Sequence, residues 1–153
     1  MPHHPNSADA YLKTRVLTAS PEQLRLMLLD GAIKFARQAR ACLESKDHEA
    51  SYEGFSQARA IVMELIVTID PEPAPELAAG VQSVLSFIFS EMVEASMSKD
   101  ASRMDEPIRL LEYERETWAL FIEQLSRERA GAEVPDALSE PKPDARPKLS
   151  VEG

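Results

Sequence analysis

The side chains that could do chemistry in this chain are few and poorly spaced for it. Histidine occurs only at 3, 4 and 48, and Cys42 is the single cysteine. A di-iron centre in a helical bundle needs Glu and His at i, i+3 on inward faces; no Glu-x-x-His occurs. His3 and His4 belong to the terminus, and His48 stands between Asp47 and Glu49 at a helix start. No Ser/His/Asp or Cys/His set can be assembled from these, nor a mid-helix phospho-accepting histidine. There is no glycine-rich phosphate loop. Glu112, Glu114 and Glu116 invite a metal assignment, but residues at i, i+2 do not share a helix face. They read as a solvated charge run. The expectation is a binding protein rather than an enzyme, with no catalytic residue, no metal site, no cofactor and no small-molecule substrate.

Composition narrows the partner. The chain has 153 residues, enough for one domain with a core. Its net charge of -9 argues against nucleic acid, whose phosphates call for basic patches, and against anionic membrane surfaces. No run of about 20 apolar residues is apparent, so membrane insertion is not expected. Met1-Pro2-His3-His4-Pro5 lacks the basic and apolar regions of a secretory signal. A lone cysteine forms no internal disulfide, which suits a reducing cytosol. Cys42 falls on an apolar helix stripe and reads as a small buried hydrophobe.

The elements that would position a binding surface are helices. Ser20 suits an N-cap, Pro21 the first helical position, and Gln23 completes a capping box. The helix behind them runs to about Glu44. Ser45-Lys46-Asp47 is a tight turn, and a second helix spans about His48 to Thr68. Three prolines, at 71, 73 and 75, make a loop. A third helix covers about Glu76 to Ser98, and Lys99-Asp100 turns again. Met104, Ile108, Leu111, Trp118, Ile122 and Leu125 then step by bundle spacing. Pro107 requires a kink or a helix start near Asp105. The expected fold is all-α, an antiparallel up-down-up-down four-helix bundle over residues 20–130. An N-terminal arm occupies 1–19, and residues 131–153, with four prolines, read as a disordered tail.

The first long helix is apolar on two sides. At roughly 100° per residue, Leu24, Met27, Leu28, Gly31, Phe35, Ala39 and Cys42 share one face. Leu26, Leu29 and Ile33 form a second stripe among Glu22, Asp30, Arg37 and Arg40. A helix with two stripes needs two neighbours, and the second stripe is expected to meet a partner. The arm, with Tyr11, Val16 and Leu17, is too short to fold alone. It is expected to fold back over the bundle with Tyr11 as its anchor.

Tyr11 and Val16, Thr18-Ala19-Ser20-Pro21, Leu24, and Met27-Leu28-Leu29-Asp30-Gly31-Ala32-Ile33 resemble the opening of the flagellar secretion chaperone FliS. Ala95-Ser96 with Lys99-Asp100, and Leu110-Leu111 before Arg115-Glu116-Thr117-Trp118, are similar to its later turns and closing pattern. The resemblance covers roughly residues 8–125. Leu29 stands where the family usually has an aromatic, Ala8 where it has a larger aliphatic, and Ser86, Ser90 and Glu91 where charged residues are common. The resemblance implies a cytosolic chaperone that binds the C-terminal helical segment of flagellin and prevents premature polymerisation. It also implies the flagellar export gate as a partner in type III export. The expected flagellin-binding residues are Tyr11, Val16, Leu26, Leu29 and Ile33. The alternative is a structural bundle that self-associates through Leu26, Leu29 and Ile33.

Overall fold

Ser20 starts the bundle as its sequence predicts. Its hydroxyl accepts the Gln23 N–H, and the Gln23 side-chain oxygen accepts the Ser20 N–H, both at 3.2 Å. In the computed structural model, which describes residues 7–72 and 74–132, this box opens α2 (Pro21–Glu44). Before it lies α1 (Ser7–Thr18), and after it α3 (His48–Val67), α4 (Pro75–Ser98) and α5 (Asp105–Ala132). A short 3-10 turn, η1 (Ala101–Met104), precedes α5. Among the described residues there is no strand. The expected tail lies outside the described residues, except that Gly131 and Ala132 continue α5.

Two turns use the same tripeptide. In Ser45-Lys46-Asp47 and Ser98-Lys99-Asp100 the lysine is left-handed, with φ of 61° and 55°. The following aspartate N–H closes on the carbonyl of Cys42 at 2.9 Å, or of Ala95 at 3.2 Å. This six-to-one closure satisfies the orphan carbonyls of a helix end. Each aspartate then caps the next element, Asp47 accepting from Ala50 and Asp100 from Ser102. Pro107 falls within the first turn of α5, where its missing N–H costs little. A helix start near Asp105 therefore resolves Pro107 without a kink.

Contacts between α2 and the other helices run in reverse order. From α2 to α3, Ala39 meets Gly54, Gly31 meets Ile61, and Arg25 reaches Leu65. From α2 to α5, Arg40 pairs with Asp105, Arg37 with Glu112, Asp30 with Arg115, and the Glu22 carbonyl with Trp118. Falling numbers against rising ones mean antiparallel neighbours on both sides of α2. α3 also packs on α4, and α4 and α2 pack on η1.

The core is a single cluster, with Phe55, Val62, Leu65, Leu85, Ile88, Met92, Met104 and Leu111 among its buried members. Its α2 side is lined by small residues. Ala32, Ala36 and Ala39 are fully buried. A Cβ on Gly54 would stand 3.0 Å from the Ala39 nitrogen, so α2 and α3 meet nearly backbone to backbone.

This alanine line corrects the two-stripe reading of α2. Leu29 is 3% exposed and Ile33 7%, and both belong to the core. In projection Ala32 and Ala36 fall between the two expected stripes, with Ala39 at the edge of the first. The large residues on either side are flanks of one wide face. α2 does need two neighbours, but α3 and α5 supply them from within the bundle. Leu29 and Ile33 therefore form no outward seam, and the self-association route through Leu26, Leu29 and Ile33 loses its exposed surface.

Contacts divide the chain into two compact units, Met1–Ala119 and Leu120–Gly153. Among the second unit's described residues, the last turns of α5 carry i, i+4 pairs between Glu123 and Arg127 and between Gln124 and Glu128. α4 is long and apolar enough, by length and composition, to cross a membrane, which the sequence reading does not anticipate. Here Leu85, Ile88, Met92 and Ala95 place it in the shared core.

Candidate protein-binding face

The structure does not bring the expected binding residues together. Tyr11 is 67% exposed and Val16 also lies open on α1, of which no residue is buried. Leu26 is partly buried, and Leu29 and Ile33 are core. The arm therefore does not fold back with Tyr11 as anchor. Along α1, Tyr11, Leu12, Val16 and Leu17 project over most of the helix circumference at about 100° per residue. With no single apolar stripe, α1 has no face to bury. The Arg15 guanidinium stacks over the Tyr11 ring at 6.0 Å instead.

The exposed apolar surface of the bundle lies elsewhere. On α4, the run from Leu77 to Ser90 holds no charged residue. One side of it fills the core. Leu77 shares the phase of the core side and stands exposed at its end, while the other side exposes Ala79, Ser83, Ser86, Phe87 and Ser90 to solvent. Short serines interrupt the apolar side chains and leave the helix surface low. Where α3 ends and α4 begins, Ile66, Ile69, Pro71, Pro75, Ala78, Ala79 and Gln82 line a cleft of about 330 Å³. Met63 and Val67 of α3 extend this surface, both exposed. An uncharged helix face beside a cleft lined mainly by apolar side chains is the candidate place for another chain to dock. Periodicity alone misses it, because serines and alanines score as neutral. The absence of charge over Leu77–Ser90 is the signal that sequence reasoning could have used.

A second arrangement sets the end of the bundle against which this face is built. Arg25 is half-buried. It donates to the Leu65 carbonyl at 3.2 Å and to the Thr68 hydroxyl at 3.4 Å, capping the C-terminus of α3. Its guanidinium also lies over the Trp118 ring at 5.4 Å. Desolvation lowers the pKa of Arg25, partly offset by the charge of Glu114. Burial raises the Glu114 pKa above the ordinary carboxylate range, and Arg25 opposes that rise. Glu114 is thus not the solvated member of a charge run that the sequence suggests. Glu112 faces Arg37, and the i, i+2 glutamates do point apart.

The sequence model described as Flagellar protein FliS matches residues 4–125. The chain belongs to the FliS family. Among its relatives, the flagellar secretion chaperone FliS of Bacillus subtilis is 29% identical over 127 residues, covering 83% of this chain and 94% of that protein. The flagellar secretion chaperone FliS of Salmonella typhimurium is 31% identical over 112 residues, covering 72% and 83%. A crystal structure of a flagellar chaperone from bacteria superposes with a TM-score of 0.64 at 13% identity, covering 78% of this chain and 99% of that one. That likeness shows the fold, and the sequence relatives show the family. The FliS family is a family of flagellar secretion chaperones, which is not an enzyme class.

Proposed function

We infer that this FliS chain is a cytosolic export chaperone that binds the C-terminal helical segment of flagellin. In this reading it keeps flagellin from polymerising before export and assists its delivery to the flagellar export gate. The observation that carries the reading is the uncharged outer face of α4 with the cleft beside it. Flagellin's terminal helices are amphipathic and bury their apolar faces only in the filament. A chaperone has to cover those faces without folding the cargo into a body too wide for a channel. An extended helical segment laid on a rigid bundle meets both demands as coupled folding and binding. Tyr11 and Val16 are open to further contact with such a segment, and Leu26 is partly so. Leu29 and Ile33 support the fold instead. Co-purification with flagellin tests the reading: a one-to-one complex is expected, lost when flagellin's C-terminal segment is deleted. Full retention of the truncated flagellin would overturn it.

A further inference from the structure

Between Arg59 and Lys99 the chain holds no lysine, arginine or histidine, while six carboxylates stand there: Glu64, Asp70, Glu72, Glu76, Glu91 and Glu94. Glu91 and Glu94 lie 4.0 and 3.7 Å from Arg103 of η1. The other four are exposed, and among the described residues none of the four stands in an ion pair.

Their placement follows the cleft. Ile69, Pro71 and Pro75, which line it, are the immediate sequence neighbours of Asp70, Glu72 and Glu76. The Asp70 carboxylate accepts the Glu72 N–H at 2.9 Å, which sets the loop that carries both. Glu64, two residues before Ile66, falls on another face of α3 and lies outside this rim. A cleft lined mainly by apolar side chains thus stands beside three exposed carboxylates, Asp70, Glu72 and Glu76, that lie in no ion pair among the described residues. Such a rim concentrates a negative potential over the cleft mouth, and its natural complement is an apolar segment with cationic margins.

We propose that the α3–α4 cleft takes an amphipathic helical segment with lysine or arginine along its margins, and that Asp70, Glu72 and Glu76 select it over segments with acidic margins. The proposal rests on the reading that this face receives the cargo helix, and it adds the charge pattern that the cargo must carry. The apolar side chains of the segment enter between Ile66, Ile69 and Ala79. The carboxylates add selectivity and association rate more than affinity, because exposed ion pairs are individually weak. Screening by salt should remove their contribution.

The test uses the full chain and two synthetic helical peptides with one apolar face in common, one with lysine margins and one with glutamate margins. Flagellin's C-terminal segment is titrated in parallel. At about 50 mM salt the lysine peptide should bind roughly tenfold more tightly than the glutamate peptide, and at about 500 mM the difference should fall below about twofold. The triple variant Asp70→Asn, Glu72→Gln, Glu76→Gln should lose the preference at an unchanged melting temperature, since the amide oxygen introduced at position 70 can still accept the N–H of residue 72. Equal binding of the peptides, or a preference untouched in the triple variant, would overturn the proposal. If the lysine preference holds and flagellin does not bind, the charge selection stands and the cargo assignment falls. If flagellin binds and neither peptide is preferred, the reverse is true. A free dimer that becomes monomeric on deletion of residues 1–18, with no peptide preference, would put α1 of a second copy in the cleft and overturn the proposal.

Discussion

The indole N–H of Trp118 donates to the main-chain carbonyl of Glu22 at 2.7 Å, tying α5 to the first turn of α2. The same ring lies under Arg25, which caps α3. One partly buried side chain therefore joins three helices at one end of the bundle. Trp118→Ala should cost about 2–4 kcal/mol, toward the lower end for aromatic truncation because the ring is not fully enclosed. Trp118→Phe keeps most of the packing and loses the hydrogen bond, at about 1 kcal/mol. Thermal or urea melts of the two variants check the order.

Glu114 gives the pH dependence a sign. Its folded-state pKa is raised by burial, so the folded protein holds this proton more tightly than the unfolded chain. The stability it contributes is present below the ordinary carboxylate range and is lost as pH rises through the raised value. Glu114→Gln should therefore be at least as stable as the parent at neutral pH and should flatten this part of the profile. A neutral-pH melt in which Glu114→Gln is clearly less stable would contradict the dominance of desolvation over the Arg25 charge.

Gly54 and Gly80 should respond oppositely to alanine. Gly54 faces the backbone of Ala39, where a Cβ would sit 3.0 Å from the nitrogen and 3.1 Å from the Cα. Neither atom can give way alone, so α2 and α3 must separate. An overpacking cost of about 1–3 kcal/mol outweighs the gain of about 1 kcal/mol in helix propensity. Around Gly80 there is open space, so Gly80→Ala should stabilise by about 0.5–1 kcal/mol. Paired denaturant titrations decide both signs.

The two left-handed lysines should tolerate glycine. Lys46 and Lys99 occupy helix-ending positions that an L side chain enters at a cost of about 1–2 kcal/mol. Glycine enters freely but adds entropy to the unfolded chain. Lys46→Gly and Lys99→Gly should each raise stability by up to about 1 kcal/mol, read as a higher melting temperature.

Much of this fold is legible in the sequence because its punctuation is chemical. The Ser20-Pro21-Gln23 box, Asp47, the Ser-Lys-Asp turns and Pro107 each fix a boundary by a hydrogen bond made or a donor missing. The face of α2 is harder to read, because Ala32, Ala36 and Ala39 carry the closest packing while contributing little to an apolar pattern. Leu29 and Ile33 therefore resemble a second surface when only large side chains are followed. The proposed binding face is least legible of all. Leu77 to Ser90 is defined by what it lacks, and α1, whose apolar residues suggest docking, spreads them around the helix.

The proposed partner-binding surface is the α3–α4 face and not Leu29 and Ile33. Ala79, exposed and lining the cleft, and Leu29, 3% exposed in the core, separate the two. Leu29→Asp should unfold or severely destabilise the bundle, since it buries a charge without a partner. Ala79→Trp should fill the cleft and leave the fold intact. The decisive measurement is a calorimetric titration of flagellin's C-terminal segment into Ala79→Trp, with its melting curve taken alongside. At least about tenfold weaker binding, in the range of interface hot spots, is expected at an unchanged melting temperature. Parental affinity in the folded variant would contradict it.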